Sequence, residues 1–148
     1  MPRIIIPPFL FLICLLGMIL LHQVWPITAL FPFPYNLLGL APLVAGVAVG
    51  FLGFSRFVRV KTNLYTFGEP GKLVTDGIFK YTRNPMYLGL SLLLLGAWML
   101  LGSLSPILGF AVFVIIADRW YIRYEEQQLA TKFGEEFERY RGRTRRWV

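Results

Sequence analysis

The sequence predicts an all-α integral membrane protein with four transmembrane helices and a C-terminal amphipathic helix on the cytoplasmic side. Three observations carry this expectation. The 148 residues are 56% hydrophobic and 16% aromatic, where a soluble domain is roughly 45–50% apolar. No charged residue occurs between Arg3 and Arg56, nor between Arg83 and Asp118. The 15 Lys and Arg residues fall only in segments that flank these two runs.

The length suits one domain, expected over 1–148 with spans near 4–22, 37–55, 85–101 and 106–122. The first apolar stretch, from Ile4 to Leu21, would be about 27 Å long as a helix, close to the hydrocarbon thickness. Pro7 and Pro8 fall in its first turn, where proline is tolerated. A small-x-small cleavage pattern is missing around Trp25-Pro26-Ile27, so a signal peptide is not expected. Trp25, Phe31, Phe33 and Tyr35 form a proline-broken aromatic loop suited to a membrane interface. The second span carries Gly46 and Gly50, a small-xxx-small pair that lets another helix approach closely.

A polar segment from Arg56 to Arg83 follows, with turn signals at Gly68-Glu69-Pro70-Gly71 and Asp76-Gly77. The uncharged run from Asn84 to Ala117 would measure about 51 Å as one helix, too long for a single crossing. It is expected to break at Gly102-Ser103-Leu104-Ser105-Pro106, giving a hairpin of two spans. Beyond it, Ile122, Glu125, Leu129, Phe133, Phe137 and Tyr140 recur at helical steps as one stripe. Glu125 falls on that stripe.

The charges also fix an orientation. One Lys/Arg lies in the N-terminal stretch, six from Arg56 to Arg83 and eight from Arg119 onward, with none in the other two connections. Both termini and the long middle loop are therefore expected in the cytoplasm.

The net charge of +7 reflects these juxtamembrane residues rather than a basic-aromatic nucleic-acid motif, so nucleic acid is not an expected partner. Cys14 lies mid-span with no activating neighbour in sequence. His22 is the single histidine, and metal-ligand spacings, GxSxG, P-loop and GxGxxG motifs are missing. No metal is expected.

Two clusters can carry chemistry. In Arg83-Asn84-Pro85-Met86-Tyr87, Asn and Pro mark a helix start. A guanidinium beside helix N-terminal amides can hold a carboxylate or phosphate, and Tyr87 can donate to the same ligand. Topology setting and interfacial anchoring would explain Arg83 and Tyr87 equally. The second cluster is Glu125-Glu126, adjacent carboxylates that need a compensating cation. Arg123 or another basic side chain could supply it, or a cationic ligand could. The two clusters together match a zwitterion such as S-adenosylmethionine.

At these residues the chain resembles the isoprenylcysteine carboxyl methyltransferase and phospholipid methyltransferase group of membrane enzymes. The resemblance runs through Leu73-Val74, Gly77, Phe79, Arg83-Asn84-Pro85-Met86-Tyr87 and Gly89. It resumes at Glu125-Glu126, Leu129, Phe133-Gly134, Tyr140 and Arg145-Arg146-Trp147. It implies a cofactor-binding half at 72–148, with S-adenosylmethionine held by Arg83, Asn84, Tyr87, Glu125 and Glu126. Leu73, Val74 and Gly77 would line the pocket, and Arg83 and Glu125 would serve catalysis. The expected partners are the bilayer and a lipid or lipidated acceptor. Asn84 stands where the eukaryotic prenylcysteine enzymes have His, and Phe137 where Tyr is common. The extra helices of larger members are missing, which points to pairing of subunits, and acceptor identity is not carried over.

Methyl transfer to a prenylcysteine carboxylate needs no base, whereas a phosphatidylethanolamine amine must first lose a proton. Without a cytoplasmic histidine, a carboxylate acceptor is favoured and phospholipid N-methylation is the alternative. A dinucleotide-dependent sterol-reductase-like enzyme and a non-catalytic lipid-binding scaffold are further alternatives.

Overall fold

The structure, a computed structural model, describes residues 6–60 and 71–148. Positions 1–5, with the start of the expected first span, and 61–70, with the expected Gly68-Glu69-Pro70 turn, lie outside the described residues. Among the described residues the chain is helical, with no strand.

Helix α1 spans Pro7–Val24, with prolines in its first turn as the sequence predicts. A 3-10 turn, Tyr35–Gly39, leads into α2, Leu40–Val60. The second apolar segment therefore starts near the expected position but runs further. These two segments are long and apolar enough to cross a membrane, and only 22% and 17% of their residues are buried inside the protein. The core helix of a soluble protein would be mostly buried, whereas here Phe9, Leu16, Val44, Val47 and Phe51 are exposed. Such faces suit lipid as solvent.

Helix α3, Pro85–Leu101, has the expected bounds. It packs against α2 along a seam of small residues. A Cβ at Gly46 would lie 2.8 Å from the Gly89 carbonyl, and one at Gly96 would lie 2.6 Å from the Gly39 carbonyl. Gly50 supplies backbone atoms that a Cβ at Gly89 would meet at 2.9 Å. The expected Gly46/Gly50 packing face is thus present, and the backbones approach this closely because neither helix has side chains in the way.

The predicted break is a tight turn. Gly102, at φ 78°, ends α3, and its carbonyl accepts from the backbone amides of Leu30 and Phe31. Any Cβ at Gly102 would be strained by that φ and would meet the Phe31 carbonyl at 2.7 Å. Trp98 donates to the Ser103 carbonyl, and the Ser103 hydroxyl pairs with His22 Nδ1 at 2.7 Å.

Helix α4, Ile107–Ile116, is followed without a break by a π-helical turn, Ala117–Ile122, and by α5, Arg123–Phe133. The expected fourth span at 106–122 is therefore part α and part π, and it runs straight into the tail. The tail is two helices rather than the expected one. Gly134, at φ 49°, ends α5 and α6 covers Glu135–Arg143.

Among the described residues, two apolar clusters hold the molecule. The larger joins Leu10, Cys14 and Met18 of α1 to Leu94, Phe113 and the π turn residues Ala117, Tyr121 and Ile122. The smaller gathers Val74 and Phe79 from the segment before α3 with Phe137 and Tyr140 of α6. That second cluster brings the C-terminal residues back onto the start of α3.

Candidate active site

The site begins where the chain turns into α3. A 3-10 turn, Gly77–Lys80, opens on Gly77 in the left-handed region, next to an Asp76 carboxylate paired with Arg56. The residues after it run alongside the C-terminal segment. Tyr140 donates to the Phe79 carbonyl at 2.7 Å, the Arg83 amide to the Arg145 carbonyl at 3.0 Å and Thr82 Oγ1 to the Arg146 carbonyl at 3.3 Å. Burial raises the Tyr140 hydroxyl pKa, against the opposing charge of Arg83.

Asn84 sits at the N-cap position ahead of Pro85, as predicted, but its side chain does not cap the helix. Its amide Nδ2 instead donates to the Arg146 carbonyl at 3.0 Å. The preference of Asn for a helix start is local, and a long-range acceptor has taken the group instead.

Arg83 and Glu126 form the centre. Arg83 Nη2 lies 2.7 Å from Glu126 Oε1, and Nε donates to the same oxygen at 3.2 Å. Nη1 donates to the carbonyls of Arg141 and Thr144. Arg146 approaches Glu126 from the other side, Nη2 to Oε2 at 2.6 Å and Nε to Oε1 at 3.2 Å. Burial alone would raise the Glu126 pKa, but the hydrogen bonds and charges of Arg146 and Arg83 outweigh it and hold the carboxyl below its ordinary range. The same pairing with Glu126 raises Arg146.

Glu126 is thus the buried member of the acidic pair, while Glu125, expected on the inner stripe, is half-buried. The helical period puts three or four residues after Ile122 equally near that stripe. The two arginines decide which acid turns inward. Neither counter-ion is Arg123. Glu125 Oε1 accepts from the Tyr87 hydroxyl at 2.7 Å, and the Tyr87 ring stacks on Tyr121.

The predicted residues Arg83, Asn84, Tyr87, Glu125 and Glu126 therefore converge at one end of the bundle. Leu73 and Val74 pack in the smaller apolar cluster, and Gly77 is exposed nearby. A cleft of about 360 Å³ is lined by Asp118, Arg119, Arg123, Gln127, Arg141 and Arg146, and of the predicted residues only Glu126 lines it. Arg83, Asn84, Tyr87 and Glu125 do not, nor do Leu73, Val74 and Gly77. Sequence reasoning left Asp118 out of the site and named Arg146 and Trp147 only within the resemblance, without a role. The available signal was a lone acid ending a 34-residue uncharged run, and the Arg-Arg-Trp near the C-terminus.

A helical bundle with lipid-facing apolar sides and a buried network of guanidiniums and carboxylates at one end defines a membrane protein with a polar site at its edge. The profile described as phospholipid methyltransferase matches residues 34–136. Over 88 residues the chain is 38% identical to a protein named protein-S-isoprenylcysteine O-methyltransferase from Schizosaccharomyces pombe, covering 60% of this chain and 35% of that protein. It is also 40% identical over 63 residues to an uncharacterized protein of Haemophilus influenzae, covering 43% of this chain and 100% of that protein. No solved structure matches. The chain belongs to the phospholipid methyltransferase family. It is a membrane methyltransferase, not the reductase or scaffold that the residues alone left open.

Proposed function

We propose that this chain transfers a methyl group from S-adenosylmethionine to a membrane-borne acceptor, most like a protein-S-isoprenylcysteine carboxyl O-methyltransferase. The observation that carries this reading is the meeting of Arg83 and Tyr87, from the start of α3, with Glu126 and Glu125 of α5. The donor set fits that cofactor. Carboxylates suit a sulfonium and an α-ammonium, a guanidinium and side-chain amide suit a carboxylate, and a cleft opens beside Glu126. Arg83 and Asn84 donate here to Glu126 and to C-terminal carbonyls, so a bound cofactor would take over part of those contacts.

When bound, the cofactor would supply a methyl group on an electrophilic sulfonium carbon. The residues' share is binding and alignment. Glu126 anchors the Arg83 and Arg146 guanidiniums, Tyr87 orients Glu125, and Asn84 ties the segment to the C-terminal residues. In this reading Arg83 and Glu125 face the reacting group, while Leu73, Val74 and Gly77, which do not line the cleft beside Glu126, support the segment that leads into α3. Holding the reactants in line and away from water accounts for most of the rate gain such residues can give.

The enzyme works as one domain over 1–148, with 72–148 binding the cofactor and four spans placing both termini in the cytoplasm. The charge asymmetry along the sequence supports this topology. A carboxylate acceptor is favoured because His22, the only histidine in the chain, is held by Ser103 at the far end of α3 from Arg83. An ionised carboxylate needs no base. The family description favours a second reading, N-methylation of a phospholipid amine.

Incubating the protein in nanodiscs with methyl-labelled S-adenosylmethionine tests both. Label in the ester of a prenylcysteine analogue supports the first reading, and label in phosphatidylethanolamine reverses it in favour of the second. No cofactor binding and no labelled product would remove both.

A further inference from the structure

We propose that Asp118 is a positioning residue of the methyltransferase site, acting on Glu126 through Arg146 and Trp147. The inference rests on the assignment of Glu126 to the cofactor site.

Asp118 lies in the π-helical turn that joins α4 to α5. It is the first charge after 34 uncharged residues. A carboxylate at such a boundary is costly unless a partner is near. Its partners come from the C-terminal segment: Oδ1 accepts from Arg146 Nη1 at 3.2 Å and from Trp147 Nε1 at 2.9 Å. Arg119 also approaches Asp118 Oδ2, but only to 3.7 Å and from an exposed position.

The geometry gives this acid more than a charge to balance. The Arg146 guanidinium is planar, so its donors cannot be aimed independently. Nη1 is engaged by Asp118 while Nε and Nη2 are engaged by Glu126. Fixing one edge of the plane fixes the other. Trp147 adds a second anchor and packs against the main apolar cluster. Meanwhile the Arg146 carbonyl receives Asn84 Nδ2 and Thr82 Oγ1. Asp118 therefore sets the rotation of a residue that is bonded both to Glu126 and, through its carbonyl, to Asn84 at the start of α3. Without it, Arg146 keeps its charge but loses one of the constraints on how it meets the Glu126 carboxylate, which Arg83 also holds.

The test uses the full chain in nanodiscs and reads S-adenosylmethionine affinity, methyl transfer and thermal unfolding. Asp118→Asn should weaken cofactor affinity about tenfold or more, the usual worth of a charge-assisted hydrogen bond, with the unfolding midpoint little changed. Asp118→Glu should recover part of that loss. Because the effect runs through Arg146, Asp118→Asn should cost little further in an Arg146→Gln background. Should Asp118→Ala fail to fold, Asp118→Asn and Trp147→Phe carry the test, with weakened affinity expected in both. Wild-type affinity in Asp118→Asn together with weakened affinity in Glu126→Gln overturns this inference alone, as does a full independent loss in the Arg146→Gln background. Wild-type affinity in Glu126→Gln overturns the site assignment itself.

Discussion

Arg83 and Glu126 are 43 residues apart in sequence and 2.7 Å apart in space, with side chains only 10% and 11% exposed. A pair this buried is costly to desolvate, so its worth lies in what happens when one half is missing. Arg83→Ala would leave Glu126 facing Arg146 alone. Removal of one partner from a buried pair costs about 3–5 kcal/mol when the other is left uncompensated, and Arg146 holds the loss here below that. Thermal unfolding in detergent should fall accordingly, and S-adenosylmethionine affinity should fall with it. Wild-type values of both would show that the pair neither holds the fold nor serves the site.

Acid should weaken the same network. Glu126 has its carboxyl held below an ordinary value of 4.5, so the unfolded chain takes up protons first as pH falls. The stability it contributes is fully present above about pH 4.5 and is lost below that, as pH descends through the folded value. Unfolding midpoints measured from pH 7 to 3 should drop more steeply for the wild type than for Glu126→Gln in that lower window. Parallel curves would contradict this.

Tyr87→Phe removes the hydroxyl and keeps the ring. The ring can keep its stack on Tyr121 while the hydrogen bond to Glu125 disappears. Methyl transfer or cofactor affinity should fall about tenfold, in line with a charge-assisted bond of about 1.5–3 kcal/mol, and the protein should remain folded. An unchanged rate and affinity would remove Tyr87 from the site.

The glycine seam allows a paired comparison within one helix contact. Gly96→Ala would drive a methyl group to 2.6 Å from the Gly39 carbonyl, whereas Gly50→Ala meets nothing within 4 Å. The first should lower stability by about 1–3 kcal/mol, and the second should leave it near or slightly above wild type. Similar unfolding midpoints for the two variants would mean that α2 and α3 do not pack this closely.

Much of this architecture was readable from local chemistry. Pro85 announced the start of α3, Gly102 through Pro106 announced its end, and Gly46 with Gly50 marked a packing face. The tail was only half legible. Its stripe from Ile122 to Tyr140 has the period of one helix, and nothing in that period revealed that Gly134 would take φ 49° and divide it. The choice between Glu125 and Glu126 was likewise beyond periodicity, because both border the inner face. Arg83 and Arg146 decide it over separations of 43 and 20 residues. Asn84 looked like a cap because capping is local, yet its amide is claimed by a carbonyl 62 positions away. Sequence patterns report neighbours along the chain, whereas the site is built from partners across it.

The π-helical turn at Ala117–Ile122 carries one residue more than an ordinary turn needs while keeping both of its ends on the buried side. It therefore holds slack. Deleting an exposed residue there, such as Trp120, would tighten the coil to a regular one and leave the flanking faces in phase. An inserted residue in α5 ahead of Glu126 finds no such reserve and would swing that carboxylate by about 100° away from Arg83. Length changes in this rod should thus be tolerated in one direction and not in the other.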